Sequence, residues 1–425
     1  MNESSLHDAL ERERDRFRMP DDALDRLTRY RDRKRRNQRL LSGLVALVVF
    51  AAGSLGLAAL LRGGHRGPSP ATTTPPAHAL AHLPSLSAIS FVDPAHGWAA
   101  GMGSIVATTD GGRTWIRQFA TGDRRASFTQ LDFVDPLHGW AVAPVTAAPG
   151  ELLRTTDGGS HWTPAAEPTS TIGPLRQIDF IDASDGWAVA GGVAGTPYSG
   201  TLVHTTDGGL TWTKVTTQAP GVDSVCFADA QSGWVTAGSS FQGTQDGGQT
   251  WDTPPHSSFT VPGEPNMIGS LGCSGRGVYG LFTGGSAASH QAYVVRRSVD
   301  SGASWAFVAA ASILQPGDPE LRGLPQIDAY SGPFQVLDDQ TVSFLGTCEP
   351  CGAGSTSILQ TMSGGSTFTR AKVLGPGAPG GIGVAVSFAD PLHGWVVARS
   401  PVSGGQLILA TSDGGRTWQQ LYPRA

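Results

Sequence analysis

The chain has 425 residues, of which 57 are glycine and 15% are charged, and its net charge is -5. This composition is typical of a β-rich, turn-rich folded protein and argues against a disordered one. The charge is uneven, because residues 1–39 carry a net charge of +3 and residues 67–425 one of -10. A net acidic C-terminal part offers no electrostatic footprint for nucleic acid, so we expect no nucleic-acid partner.

Residues 1–39 are predicted to form a polar cytoplasmic tail, helical or partly disordered. Pro20, followed by Asp21 and Asp22, matches the first turn of a helix. We interpret this tail as a solvated segment beside the membrane. The alternative is a docking segment for a cytoplasmic regulator, because amphipathic helices bind in the grooves of partner proteins.

An uncharged run of about 21 residues, from Leu41 to Leu61, is long enough to span a bilayer. Seven Lys and Arg side chains precede it within residues 29–39, whereas only Arg62 and Arg66 follow it. The positive-inside rule therefore predicts a single-pass cell-membrane protein with a cytoplasmic N-terminus. A cleaved signal peptide is the alternative, but the charged region is too long and no small-residue cleavage site follows. We assign residues 40–62 as a transmembrane anchor and residues 63–84 as a Pro- and Thr-rich linker.

The remaining residues, 85–425, contain seven copies of a turn signature, of which Thr108–Trp115 is the first. An Asp followed by Gly-Gly between two β-prone runs predicts a hairpin turn. The carboxylate can accept backbone N–H groups across the turn, the glycines supply positive φ, and the closing Trp can bury its ring. Copies five and six are degenerate. The signature is centred on Asp110, Asp157, Asp207, Asp246, Asp300, Ser363 and Asp413.

A second signature precedes five of these turns and begins with Phe91 and ends with Gly97-Trp98 in the first copy. The Phe-to-Trp spacing of seven recurs at Trp140, Trp187, Trp234 and Trp395. The repeat interval of about 39 to 63 residues is the size of a propeller blade. We therefore predict an all-β seven-bladed β-propeller with four strands per blade and the Asp turns between strands three and four. Thr417–Tyr422 completes blade seven, so we expect the ring to close by packing.

Together the two signatures resemble Asp-box (BNR) repeats, which occur in sialidases, two-domain xyloglucan hydrolases and the photosystem II assembly-factor propellers. The pairing of Phe-x-Asp-x-x-x-Gly-Trp with Asp-Gly-Gly-x-Thr-Trp is most similar to the last of these. The resemblance covers about residues 80–425 and implies a seven-bladed, non-enzymatic extracytoplasmic propeller. The resemblance assigns no partner to any residue of this chain, because Asp boxes occur in proteins with many unrelated activities.

Four cysteines lie outside the membrane in this topology, where disulfides form. Cys348 and Cys351 form a C-x-x-C pair, for which a tight disulfide is favoured over free thiols or a redox motif. Cys226 and Cys273 occupy nearly equivalent places in the inner strands of blades four and five. A bridge between them could compensate for the degenerate blade five, and both alternatives stay open.

Metal binding and cofactor binding are not expected. His96, His138 and His393 recur at one repeat position, but equivalent positions of different blades lie too far apart to hold one metal ion. We therefore interpret these histidines as turn residues.

A glycoside hydrolase, sialidase- or xyloglucanase-like, is the alternative function. It needs two carboxylates about 5 to 9.5 Å apart. Asp318 with Glu320, and Asp338 with Asp339, are the candidate pairs, and we interpret each as solvated loop residues.

We favour a non-enzymatic, membrane-anchored scaffold that binds a protein or glycan of the cell envelope. Long loops on a regular framework are where binding residues concentrate, and blades five and six carry the longest insertions, especially Ser312–Phe334. Dispersed surface charge is the alternative interpretation of the basic positions. The candidate partner-binding residues are Arg124, Arg125, Arg176, Glu320 and Arg322.

Overall fold

The computed structural model describes residues 79–121, 127–143, 152–165, 173–192, 199–253, 259, 261, 263–264, 267–287, 289–348, 355–373, 382–399 and 405–423. The predicted tail and anchor, the linker as far as residue 78, Arg124, Arg125 and Cys351 lie outside these residues. Within the described ranges no helix has the length and apolarity needed to cross a membrane.

Seven antiparallel sheets follow one another along the described chain, and in each the strands pair in sequence order. Blades one to four contain β1 Leu86–Phe91, β2 Gly97–Gly101, β3 Ser104–Thr108, β4 Ile116–Ala120; β5 Gln130–Phe133, β6 Gly139–Val142, β7 Leu152–Thr155, β8 Thr163–Pro164; β9 Leu175–Phe180, β10 Gly186–Ala190, β11 Thr201–Thr205, β12 Thr213–Lys214; and β13 Ser224–Phe227, β14 Gly233–Ala237, β15 Ser240–Thr244. Blades five to seven contain β16 Ile268–Ser274, β17 Gly277–Ala287, β18 His290–Ser298, β19 Ala306–Ala310; β20 Tyr330–Val336, β21 Val342–Cys348, β22 Ser355–Thr361, β23 Thr369–Lys372; and β24 Ile382–Phe388, β25 Gly394–Arg399, β26 Gln406–Thr411, β27 Gln419–Tyr422.

The seven-bladed, all-β propeller predicted from the repeats is confirmed. Four strands per blade is correct for six blades. It is wrong for blade four as far as the structure describes it, because pairing beyond β15 is reduced to a single bridge between Gly243 and Asp252. In blade one the outer strand begins at Ile116, since Thr114 bonds to the Asp110 carboxylate in the turn.

Burial follows strand position within a blade. β2 and β3 are buried along their whole length, because neighbouring blades cover both of their faces, and their sequences are accordingly apolar. The outer strands β8 and β12 are fully exposed and polar. Blade sheets are thus stacked face to face around the ring, and the core consists of the seams between them.

Each regular seam is an aromatic stack. The Trp of one blade lies flat on the Phe that begins the signature of the next, with ring centroids 3.7 Å apart for Trp98 and Phe133. The closing Trp162 of the Asp box meets the same Phe edge-on at 5.9 Å. The pair Trp395 and Phe91, at 3.6 Å, closes the ring from blade seven to blade one. Ring closure by packing, without strand exchange, is therefore confirmed.

The inner strands are sheet edges, so part of their backbone needs partners outside the sheet. Side chains of the preceding blade supply these partners. Gln130 bonds both the N–H and the carbonyl of Ile178, at 2.9 and 2.7 Å. The Asp132 carboxylate accepts the N–H of Phe180 at 2.8 Å, and Ser387 accepts that of Phe91 at the ring closure. These bonds fix the register of neighbouring blades.

Candidate functional site

The Asp boxes are closed hydrogen-bonded turns. Oδ1 of Asp110 accepts the backbone N–H of Thr114 and the hydroxyl of Thr108, both at 2.8 Å, while Oδ2 accepts the hydroxyl of Thr114 at 2.6 Å. Gly111 and Gly112 have φ of 74° and 89°, a conformation that glycine adopts at low cost. In box four, hydrogen bonds from the side chain and backbone of Thr250 hold the pKa of Asp246 at about 2. These carboxylates are ionised and committed to the turn.

The recurring histidines also belong to turns. Nδ1 of His96 lies 2.8 Å from Oδ2 of Asp93, and the same arrangement occurs at His138 with Asp135. Each ring therefore pairs with the aspartate three residues earlier in its own blade. The histidines recur because the same turn recurs in each of these blades, so no shared metal ion is needed to explain them.

The two carboxylate pairs considered for a hydrolase lie at turns. Asp318 accepts the backbone N–H of Glu320 at 2.9 Å. Asp338 accepts those of Gln340 and Thr341 at 2.9 and 2.7 Å. The geometry thus gives one member of each pair a turn-capping role.

A carboxylate pair that the sequence analysis missed lies on the inner strands β5 and β9. Burial raises the pKa of Asp132 to about 6. Burial and the negative charge of Asp132 raise the pKa of Asp179 to about 7. Asp179 accepts the N–H of Phe227 at 2.6 Å, as Asp132 does that of Phe180. The available signal was the Asp directly before the signature Phe in two consecutive repeats.

Three of the predicted partner-binding residues lie within the described structure, on two separate parts of the ring. Arg176 is half-buried in blade three, where its guanidinium lies 3.5 Å from the Ser199 hydroxyl. Glu320 and Arg322 are exposed in the segment between β19 and β20. That segment is packed against blade five, because Leu321 is fully buried in the cluster that contains Trp234. Glu320 also acts electrostatically on Arg296 of blade five.

The cysteines lie at two places. Cys226 and Cys273 form a disulfide between blades four and five, with Cα atoms 6.0 Å apart. Cys348 ends β21 and is disulfide-bonded, while Cys351 lies outside the described residues. The first disulfide therefore joins two neighbouring inner strands.

Three grooves open at the rim of the ring, and each lies between the outer part of one blade and the Asp box of the next. The groove between blades seven and one has a volume of about 400 Å³ and is lined by Trp115 and Tyr422. The groove between blades six and seven, about 490 Å³, is lined by Arg370 and Arg416. The third, about 390 Å³, lies between blades four and five. The rim therefore offers concave surface between neighbouring blades.

Comparisons with known proteins agree with this geometry. Residues 78–167 match the family model for Photosynthesis system II assembly factor YCF48. A solved structure described as YCF48 bound to D1 peptide is 18% identical, with a TM-score of 0.50, over 80% of this chain and 94% of that one. YCF48 from Cyanidioschyzon merolae has the same identity and TM-score over 78% and 97%. The chain is an Asp-box, BNR-type seven-bladed propeller.

The Asp-box propeller is also similar to enzymes of this architecture. The GH74 enzyme of Niastella koreensis is 15% identical, with a TM-score of 0.54, and the match covers 78% of this chain and 53% of that one. The propeller thus spans about half the length of the GH74 protein. No curated protein matches the chain. At these identities the likeness establishes the fold alone.

Proposed function

We propose that this Asp-box propeller is a non-enzymatic binding module that holds a protein partner in the cell envelope. The observation that carries the proposal is the role of the carboxylates. Aspartates of the boxes and turns accept backbone N–H groups, and Asp132 and Asp179 cap the inner strands of the following blades. A rigid ring with variable rim grooves can bind a partner without an activated nucleophile.

A polypeptide partner is favoured over a glycan. One similar ring is described as bound to a peptide, which supports a polypeptide partner for this architecture. The rim grooves of the present ring have volumes of about 390 to 490 Å³, which falls within the range of ordinary ligand sites.

We further propose that residues 40–62 anchor the propeller outside the cytoplasmic membrane. The uncharged Leu41–Leu61 run and the preceding basic cluster support this topology. Protease added to intact spheroplasts should digest the propeller or its linker and spare residues 1–39. Complete protection of the propeller, with cleavage of the tail, would establish the opposite orientation.

The proposed contact surface includes Arg124 and Arg125, with Arg176 on the same arc of blades. Arg124→Glu combined with Arg125→Glu should weaken capture of the partner by the full-length chain after crosslinking in cells. The melting temperature should stay nearly unchanged, because exposed charges contribute little to stability. Arg322→Glu, on the blade-five side, is the matched control and should capture the partner normally. Equal capture by all variants would refute this surface.

The alternative of a glycoside hydrolase has one specific observation in its favour, the raised pKa values of Asp132 and Asp179. Raised carboxyl pKa values occur at catalytic acids. The purified full-length chain should be assayed on xyloglucan and on sialosides. Turnover that disappears in Asp132→Asn or Asp179→Asn would replace the binding proposal.

A further inference from the structure

The groove between blades six and seven has the same construction as the groove between blades four and five. In each, one wall comes from the outer part of the earlier blade, and the other comes from the glycines of the next Asp box. Thr361 ends β22 just before box six, as Thr244 ends β15 just before box four. Three equivalent pairs of lining residues differ in charge between the two grooves: Asp246 and Ser363, Asp252 and Thr369, and Ala303 and Arg416.

These replacements make the groove between blades six and seven basic. Arg370 and Arg416 line it, and no carboxylate is among its described lining residues. Ser363 still closes the box-six turn without a charge, because its hydroxyl accepts the N–H of Thr367 at 2.9 Å. An acidic ligand is therefore attracted to this groove and repelled by its equivalent between blades four and five.

Both guanidinium groups are accessible from the groove. Arg416 is exposed, and its Nη1 donates to the backbone carbonyl of Asp413 at 3.1 Å, while the Asp413 carboxylate is bonded within its own turn. Arg370 pairs through Nη2 with Asp328 at 2.7 Å, and its side chain is still 46% exposed. A guanidinium has five N–H donors, so both arginines keep donors for a carboxylate supplied from outside.

An exposed apolar pair adjoins the groove. Met362 and Leu392 are 42% and 49% exposed. Gly414 lines the groove, and a Cβ built on it would lie 2.6 Å from the Met362 methyl carbon and 4.0 Å from Cδ2 of Leu392. Box four has the polar Gln245 in the place of Met362. A flexible methionine adapts to the shape of an apolar partner side chain, so the groove offers apolar contact beside two cations.

The neighbouring groove already holds a segment of this chain. Residues 79–83, which precede β1, line the groove between blades seven and one. The N–H of Leu80 donates to the Trp115 carbonyl at 2.8 Å, and that of Leu83 donates to the Tyr422 hydroxyl at 3.2 Å. Both leucines pack against the buried cluster that contains Trp115. The rim between two blades can therefore hold a polypeptide segment through main-chain hydrogen bonds and apolar side chains.

We propose that the groove between blades six and seven binds an extended, acidic segment of the partner protein. Asp or Glu side chains of the segment pair with Arg416 and Arg370, and an apolar side chain packs on Met362 and Leu392. This inference rests on the proposed function as a protein-binding ring, and it adds the charge of the segment that is bound. It places the contact on a different arc of blades from the loop that contains Arg124.

The test uses the full-length chain in detergent and, as the probe, a fluorescent acidic peptide in which glutamates flank a leucine. Arg416→Glu should weaken peptide binding by about tenfold or more, measured by anisotropy, because it replaces an attractive charge by a repulsive one. Arg416→Ala introduces the residue of box five and should weaken binding several-fold, and added NaCl should weaken binding to the wild type. Arg276→Glu is the matched control and should bind normally, because Arg276 is exposed on a turn of blade five and lines none of the three grooves.

A second readout follows Met362 directly. The chain has only five methionines, so their methyl resonances can be resolved after 13C labelling. The Met362 resonance, assigned by its absence in Met362→Leu, should shift when the acidic peptide is added. The resonance of Met102, which is 57% exposed on blade one, should stay unchanged.

Three results would overturn the inference. The first is unchanged peptide binding in Arg416→Glu, and the second is equal binding of a peptide with lysines in place of the glutamates. The third is an identical Met362 shift with sulfate alone, which would indicate an inorganic anion site.

Failure of this inference is distinguishable from failure of the proposed function. A chain that captures its partner in cells equally well with and without Arg416→Glu, and ignores the acidic peptide, keeps the binding function and loses this site. A chain that binds the peptide through Arg416 but captures no envelope protein keeps the groove and loses the proposed function.

Discussion

Replacing Asp179 by Asn should stabilise the propeller at neutral and alkaline pH and leave it unchanged in acid. The folded-state pKa of Asp179 is raised from an ordinary 3.8 to about 7, first by burial and second by the charge of Asp132. The folded state therefore holds this proton more tightly than the unfolded chain. The resulting contribution to stability is full below pH 3.8 and is lost as the pH rises through 7.

The magnitude follows from the shift. About three pH units correspond to about 4 kcal/mol between the two protonation states. Asp179 is half-buried as a residue, so we expect about 2–4 kcal/mol after solvent screening. Asn removes the charge and keeps an oxygen for the N–H of Phe227, which Asp179 accepts at 2.6 Å.

The assay is urea unfolding of the full-length chain, followed by tryptophan fluorescence from pH 4 to pH 8.5. The midpoints of Asp179→Asn and wild type should coincide near pH 4 and separate as the pH rises, with Asn the more stable. Asp182→Asn is the control of opposite sign: burial raises its pKa, but hydrogen bonds from Asp185 and Ser184 lower it further. That variant should lose stability above pH 4.

Two results would refute the reasoning. A stability difference between Asp179→Asn and wild type that does not change with pH would exclude a titrating carboxyl as its cause. A less stable Asp179→Asn at pH 8 would show that the ionised carboxylate contributes more through its hydrogen bond than burial costs.

Three further predictions concern the repeats and the seams. Asp157→Ala should lower the free energy of unfolding by about 1–2 kcal/mol more than Ser363→Ala does, because Asp157 accepts charge-assisted bonds and box six has only a hydroxyl. Equal urea midpoints for the two variants would contradict it. Trp98→Phe should cost about 1 kcal/mol more than Trp187→Phe, because only the Trp98 indole N–H has an acceptor; a larger loss for Trp187→Phe would oppose this. Cys226→Ser should cost up to about 4 kcal/mol, since the disulfide closes a loop of 47 residues, and an unchanged midpoint would exclude that contribution.

The blade count was predictable because its evidence is local. Each Asp box contains its own hydrogen-bond donors within four residues of Asp110 or its equivalents, so a short motif suffices to locate the turn. The Phe-to-Trp spacing of seven likewise places both rings in one hairpin. A Cβ on Gly97 would lie 2.4 Å from the Phe91 ring, which explains the Gly that always precedes the Trp.

The candidate sites were less predictable because their evidence lies between blades. Asp132 reaches Phe180 and Asp179 reaches Phe227 across a separation of 48 residues. Burial raises the pKa of both carboxyls, and for Asp179 the charge of Asp132 adds to it, which the motif around each Asp does not show. The grouping of Arg176 with Arg322 stays a prediction for the same reason, because counting basic residues along the chain does not say which blades share a face.

The seven seams are therefore not equivalent, and the difference has a physical consequence. The indole N–H groups of Trp98, Trp140 and Trp395 each donate to a carbonyl of the next Asp box. Trp187 stacks on Phe227 in the same way, but its N–H has no acceptor among the described residues. At the seam between blades four and five the cysteine bridge joins the inner strands, and Phe241 stacks on Trp305 in place of the signature Trp–Phe pair, with ring centroids 3.7 Å apart. A disulfide between two inner strands can hold blades four and five together even where the signature Trp–Phe contact is absent. An unpaired indole N–H therefore does not by itself mark a degenerate repeat, because Trp187 of the regular blade three has one as well as Trp234.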